Sequence, residues 1–417
     1  MNSRLDVVNL PEKTEDFVTH KSKRQLSRWT GALLVTCWAY SVVPATLSLE
    51  IYGPVASDIT PIGRVIDQHG IYLVAENISM ITIFICALGV VITGVLNNQR
   101  VTSFGFIPAM FIILTGMIAY MDGQIIFTNI AVMLAIAIAC ALGSLSMKEL
   151  SILGWLTFLT AVISLISGIN GTGLVFSETW GVGKSIIDLP VLTGPFSHPN
   201  TLGLNTALGI PFIFRLKSRI WRVIALCVAS FVLVWSSSRT SMIAVSVGVV
   251  IACILCYEPI RQTMKWFVGI IPVLISVMLP FIGLSDEAFT GRGAIWHITR
   301  EVLSDHWILG IGRDAFQVGG SVSLGIGFTP ITAHNMWLSQ WAFSGILSAV
   351  FVVIIILRME INVVLRGWAT FSLVAFAIAL PVIGSCEAIQ FDLISSNGYL
   401  APLVFILSSR MLTNDAE

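Results

Sequence analysis

Ile220-Trp-Arg-Val-Ile-Ala-Leu-Cys-Val-Ala-Ser-Phe-Val-Leu-Val-Trp235 is one long apolar run. Ser236-Ser-Ser-Arg239-Thr-Ser241 follows at once, and a second apolar run continues to Tyr257. Two runs of about 17–18 residues joined by so short a polar segment read as two tilted helices that cross a bilayer and meet in a tight corner. The composition extends that reading to the whole chain. Of 417 residues, 56% are hydrophobic and only 11% charged, where a soluble domain carries roughly 25% charged residues. The formal net charge is zero, which argues against a nucleic-acid partner because such a partner calls for a basic face. The seven cysteines (Cys37, Cys86, Cys140, Cys227, Cys253, Cys256 and Cys386) lie within or beside apolar runs. They read as small core hydrophobes rather than a disulfide framework.

Twelve stretches are long enough to span. They cover residues 30–49, 74–96, 101–120, 125–146, 151–169, 200–214, 220–236, 240–257, 266–284, 336–357, 368–385 and 399–412. The first follows a basic segment and reads as a retained signal-anchor, since its apolar core is long and no Ala-x-Ala site follows. Orientation comes from the lysines and arginines, which concentrate on the cytoplasmic side. With the N-terminus inside, only Arg64, Lys184, Arg239, Arg292, Arg300 and Arg313 fall outside, and the other 17 of the 23 fall inside. The expected fold is therefore all-α. It is a polytopic inner-membrane protein with about twelve transmembrane helices, both termini cytoplasmic, and a long extracytoplasmic loop containing an amphipathic helix. It divides into a basic cytoplasmic tail (1–28), N-terminal transmembrane helices (29–199) and a second transmembrane region (200–412) that includes the outer loop 285–335.

Inner connections are short and basic, whereas outer segments near 50–73, 170–199 and 285–335 are long, as function-bearing loops tend to be. Gly293 to Trp307 predicts a surface helix with Ile295, Ile298, Val302 and Leu303 on one face. Gly319, Gly320, Gly325 and Gly327 then predict a flexible strip ending at His334.

The outer face carries the candidate chemistry. Arg239 sits in the tight corner with Ser236, Ser237, Ser238, Thr240 and Ser241 around it. The alternative for a cation there is snorkelling to lipid phosphate or capping a helix end. Arg292 lies between Gly291 and Gly293, which let backbone approach a ligand closely; alone it could be a plain surface cation. His334 precedes Asn335 where the tenth stretch begins, and an imidazole there could take a proton from a hydroxyl or merely cap a helix. His198-Pro199-Asn200 stands in the same position before the sixth stretch, with Pro199 suited to a first helical turn. Helix N-termini favour anions. Glu387 and Asp392 are outer acids that could assist. Other signals fail: Gly183-Lys184-Ser185 lacks the preceding Gly of a phosphate-binding loop, where Glu178 stands. His297 and His306 lack the spacing of a zinc pair.

Five motifs in order resemble the O-antigen ligase and polysaccharide polymerase superfamily. They are Gly194-Pro-Phe-Ser-His198-Pro-Asn200-Thr-Leu-Gly203, Ser236-Ser-Ser-Arg239-Thr-Ser241, Gly291-Arg292-Gly-Ala-Ile-Trp296, Leu309-Gly-Ile-Gly312-Arg313-Asp-Ala-Phe316, and His334-Asn335 with Gly345 following, over roughly residues 190–350. Ser348 departs from the ligase form, which has Gly, Thr or Tyr there. The resemblance implies an integral-membrane, metal-independent, inverting glycosyltransferase without a cofactor. It would move a glycan from an undecaprenyl-diphosphate carrier to a glycan or lipid-linked sugar acceptor at the outer face of the cytoplasmic membrane, among membrane lipids. By position, Arg239 and Arg292 would hold the diphosphate and stabilise the leaving group, because a guanidinium binds phosphate oxygens in bidentate fashion. His334 would activate or orient the acceptor, and His198, Asn200, Asn335 and Arg313 would contact substrate. Ligase and polymerase share this chemistry and differ in acceptor. From another class, a transporter or flippase for lipid-linked sugars would use the arginines only to bind headgroups. The absence of ionisable residues at mid-span weighs against it.

Overall fold

A computed structural model describes the chain outside residues 1–11, 54–65, 100, 102–103, 122, 124–126, 147, 176–184, 258–261, 328, 366–369, 390, 392–397 and 410–417. Residues 1–11 of the basic tail, parts of all three long segments predicted to lie outside, and Asp392 thus fall outside the described residues. The structure is 75% helical, so the all-α expectation holds in nearly every element. Each of the twelve apolar stretches folds as a helix. They are α1 (Glu12–Tyr52), α2 (Ile71–Leu96), α3 (Phe106–Met121), α4 (Phe127–Leu142), α5 (Leu150–Ile169), α6 (Pro199–Ile213), α7 (Arg219–Trp235), α8 (Arg239–Tyr257), α9 (Gln262–Met278), α12 (Met336–Glu360), α13 (Phe371–Gly384) and α14 (Leu400–Ser409). Two further helices, α10 (Ala288–Leu303) and α11 (Ser321–Ile326), fall in the segment 285–335. One small ribbon was not anticipated: β1 (Leu174–Val175) pairs antiparallel with β2 (Val191–Leu192).

Five helical stretches are long and apolar enough to cross a membrane: Arg24–Tyr52, Ile71–Leu96, Leu150–Ile169, Arg239–Cys256 and Met336–Val364. The others are shorter. With 14 and 10 residues, α13 and α14 extend only about 21 and 15 Å against a hydrocarbon core of about 30 Å. Their lengths alone do not make them full crossings. Burial sorts the helices into centre and periphery. α6, α13 and α14 are buried along almost their whole length. α2, α3 and α9 turn large apolar residues outward, among them Ile81, Ile92, Met117, Leu274 and Ile275. A helix that is apolar on every side and exposed on one of them fits a lipid solvent, not water.

Segment 285–335 is folded rather than flexible. Trp296, Leu303, Phe316, Val322, Leu338 and Phe343 close a hydrophobic cluster of their own beside the main core. The surface helix predicted over Gly293–Trp307 is present but ends at Leu303. Ile295, Trp296, Thr299 and Leu303 form its buried stripe, while Ile298 and Val302 pack at its edge. The glycine-rich strip contains α11, with Val322 fully buried.

α12 is broken at Ser344 and Gly345. The segment after α10 fills the break: the Ile346 N–H donates to Trp307 O at 3.1 Å, and the Ile311 N–H to Ala342 O at 2.7 Å. Gly345 has φ +78°, and a Cβ there would lie 1.9 Å from Ile308 O. Only glycine meets both demands. Ser348 lines the break as well, with Oγ 3.1 Å from Gln340 O and 3.0 Å from Gly345 O.

Candidate functional site

Glu387, three residues past the end of α13, is the hub of the polar cluster. The Arg292 Nη2 group donates to Glu387 Oε1 at 2.5 Å, and Asn200 Nδ2 donates to the same oxygen at 2.9 Å. His334 Nδ1 lies 3.8 Å from Glu387 Oε2. Arg292 Nη1 reaches Thr240 Oγ1 at 3.5 Å, which ties the cluster to the first turn of α8. Residues from the start of α6, from α10 and from the position before the α12 cap thus converge on one carboxylate, with the start of α8 joined to it through Arg292. Burial pushes the Glu387 carboxyl up. Arg292, His334 and His198 outweigh that and hold it at about 2, below its ordinary 4.5. A buried carboxylate is tolerable only when paired and hydrogen-bonded in this way.

The backbone that carries these groups is strained. Six non-glycine residues have positive φ among the described residues: Asn98, Asp188, Ser237, Phe289, Thr290 and His334. Four of them flank or form the site. Ser237 precedes Arg239 by two positions, Phe289 and Thr290 immediately precede the Gly291-Arg292 pair, and His334 itself has φ 49°. Left-handed backbone costs a non-glycine residue on the order of 1–3 kcal/mol and persists where the surroundings over-determine it. Asn335 supplies that constraint at His334. Its Oδ1 caps α12 by accepting from the Trp337 and Leu338 N–H groups at 3.1 and 2.9 Å. Its Nδ2 donates to Ser276 O at 3.1 Å and Ser385 O at 3.0 Å. Asn335 is fully buried, so it locks α9, α12 and the end of α13 together and aims its neighbour.

The remaining sequence candidates divide. Arg239 is exposed at the first residue of α8, next in the chain to Thr240, which Arg292 reaches. The hydroxyls around it are not a binding surface. Ser236 Oγ donates to Leu233 O, Ser238 Oγ to Ser241 Oγ, and Ser237 Oγ accepts from the Ile186 N–H. All four serines are buried, and they hold the corner and fasten the segment around Ile186 to it. His198 caps α6, its Nδ1 accepting from the Asn200 N–H at 3.0 Å, with Pro199 in the first turn as expected. Arg313 lies at the α12 break, its guanidinium 5.2 Å from the Phe343 ring centre. Glu387 itself stood in the sequence only as an acid that could assist. A carboxylate directly after an apolar run of this chain needs a cation close by, and that was the available signal.

Taken together, an apolar helical bundle carries at one end two arginines, a carboxylate and an imidazole, partly open to solvent. Such a cluster of ionisable groups in an apolar bundle is a candidate functional site. Residues 223–353 match the family model described as O-antigen ligase. The match supports the O-antigen ligase superfamily and with it a glycosyltransferase-like ligase or polymerase. It takes in Arg239, Arg292, Arg313, His334 and Asn335, begins after His198 and Asn200, and ends before Glu387. No curated protein and no solved structure matches the chain.

Proposed function

We propose that this protein is an O-antigen ligase-type glycosyltransferase of the cytoplasmic membrane. It takes a glycan from an undecaprenyl-diphosphate carrier and attaches it to a sugar hydroxyl at the outer face. The observation that carries the proposal is the convergence of Arg292 and His334, both inside the stretch that matches the ligase family, with Asn200 on Glu387.

In this reading the acceptor hydroxyl attacks the anomeric carbon from the side opposite the carrier. The bond from that carbon to the diphosphate oxygen breaks, the diphosphate leaves with the electron pair, and the linkage inverts. Arg292 and Arg239 bind the diphosphate and stabilise the charge that grows on it. Two guanidiniums do this without a metal ion, and Arg292 is held in place by Glu387. His334 accepts the proton of the hydroxyl. With Nδ1 turned towards the Glu387 carboxylate, Nε2 is the nitrogen left for the acceptor, and the carboxylate stabilises the imidazolium that forms. Glu387 also orients Arg292. Asn200 and His198 shape the donor side, Asn335 positions His334, and Arg313 extends the cationic surface towards the glycan.

A polymerase would use the same residues on a second lipid-linked repeat, and Ser348 is the feature that favours it, since the ligase form has another residue there. Transfer by the purified protein from a defined lipid-diphosphate donor, run separately with core lipid and with a second lipid-linked repeat, tests both. Product with core lipid supports the ligase, and product only with the repeat unit makes the protein a polymerase. Movement of the donor across vesicles without any transfer would sink the enzyme reading.

A further inference from the structure

Trp307, Ile308 and Leu309 are three consecutive large apolar residues on the segment that fills the α12 break, and they are 52%, 59% and 65% exposed. Ser304, Asp305 and His306, directly before them, are exposed and polar. We infer that Trp307-Ile308-Leu309 is a wedge that enters the acyl region of the outer leaflet and seats the folded segment 285–335 on the bilayer. The partner is the phospholipid acyl chain. The inference rests on reading α12 as a membrane crossing.

Three observations converge on it. The first is depth. From the break to Val364 the helical stretch runs for ~19 residues, about 28 Å at 1.5 Å per residue, close to the ~30 Å of a hydrocarbon core. The break therefore falls at the outer boundary of that core. The wedge is hydrogen-bonded to the break on both sides, through Trp307 O with the Ile346 N–H and through the Ile311 N–H with Ala342 O.

The second is continuity. Leu347 and Val350, just past the break, are exposed on the same helix, so the wedge lies against the flank that α12 presents to lipid. The third is the company of aromatic groups. Trp341 Nε1 donates to Trp307 O at 2.8 Å, and the Trp341 ring lies 6.2 Å from Phe281. Indoles with an apolar body and a hydrogen-bonded N–H gather where hydrocarbon meets headgroups. In water, three such residues side by side would be an aggregation liability; at that depth they are solvated by lipid.

The test uses the full chain in vesicles of phosphatidylethanolamine and phosphatidylglycerol that contain a phospholipid with a diazirine on its acyl chain. After photolysis, peptide mapping should find carbene adducts on residues 307–309 at a yield comparable to Leu347 and Val350. The yield should be several-fold above that at Val318, which is also highly exposed but lies outside this strip. Adducts on Leu347 and Val350 with only the Val318 level on 307–309 would overturn the wedge and leave the membrane reading intact. No adducts at either place would remove α12 as a crossing and the wedge with it. In the double variant I308E/L309E, adducts on the segment should fall to the Val318 level while those on α12 persist. Undiminished adducts on the segment in that variant would also overturn the inference.

Discussion

At the residue scale, Glu387 is the group on which the polar cluster depends. Its carboxyl is held at about 2 against an ordinary 4.5, so the folded state prefers the ionised form. The resulting stabilisation is complete above roughly pH 4.5 and is lost as pH falls towards 2. In Glu387→Gln the half-buried cation Arg292 loses its charged partner, which costs on the order of 1–3 kcal/mol, the range for hydrogen bonds to charged groups. We expect the melting temperature of the purified variant to lie below wild type at pH 7. The gap should narrow as both proteins are taken from pH 4.5 towards 2, and a gap independent of pH would show that ionisation of Glu387 does not stabilise the fold. His334→Ala should lower transfer by roughly 10²–10⁴-fold, the range of a general base, while leaving binding of the donor lipid largely unchanged. Loss of donor binding in parallel with transfer would instead assign His334 to the diphosphate. Arg292→Lys keeps charge but not the planar fork, and should reduce kcat/KM by an amount worth on the order of 1–3 kcal/mol. A wild-type rate at equal membrane levels would leave Arg292 as an interfacial anchor.

At the element scale, the broken helix α12 joins the site to its cover. Its first half begins at the Asn335 cap next to His334, and its break receives the segment that follows α10. In Gly345→Ala a methyl group would meet Ile308 O at a position whose φ is +78°. Strain and collision act together, so we expect destabilisation of more than about 2 kcal/mol. Ser348→Ala removes hydroxyl contacts to Gln340 O and Gly345 O and the acceptor of the Gln340 Nε2 group, and should cost about 1 kcal/mol. Thermal melts of the two variants in one detergent check the order. Equal losses would mean that the segment 307–312 does not need the break.

At the scale of the whole molecule, the charge distribution and the folded segment 285–335 make one statement about sidedness. Ser304 is exposed at the end of α10 and Arg292 lies on the same helix. Ser304→Cys should react with a membrane-impermeant thiol reagent in intact spheroplasts. Reaction only after lysis would put the site on the cytoplasmic side and end the proposal of outer-face transfer. The native Cys253 and Cys256, exposed towards the opposite end of α8, serve as the internal comparison and should stay unlabelled until lysis.

The amino-acid sequence by itself determined the helical class and the location of nearly every helix, because apolar runs of membrane-like length can satisfy their backbone only as helices. It also marked Arg239, Arg292, His198, Asn200 and His334, since cations are scarce on an outer face and local helix caps are written in neighbouring residues such as His198-Pro199. Pairing across long separations was not legible there. Glu387 lies 95 positions from Arg292 and 187 from Asn200, and no periodicity encodes that meeting. The sequence placed hydroxyls around Arg239 without saying what they bind, and only packing around Ser237 and Ser238 decided for the protein's own groups. Likewise Asn335 and Arg313 were equivalent as polar neighbours of the motifs until the fold buried one in a three-way lock and stacked the other on Phe343. Local hydrogen-bonding and hydrophobic periodicity are properties of adjacent residues and can be read from their order. Which carboxylate neutralises which arginine is a property of the assembled bundle, and only the tertiary structure decided it.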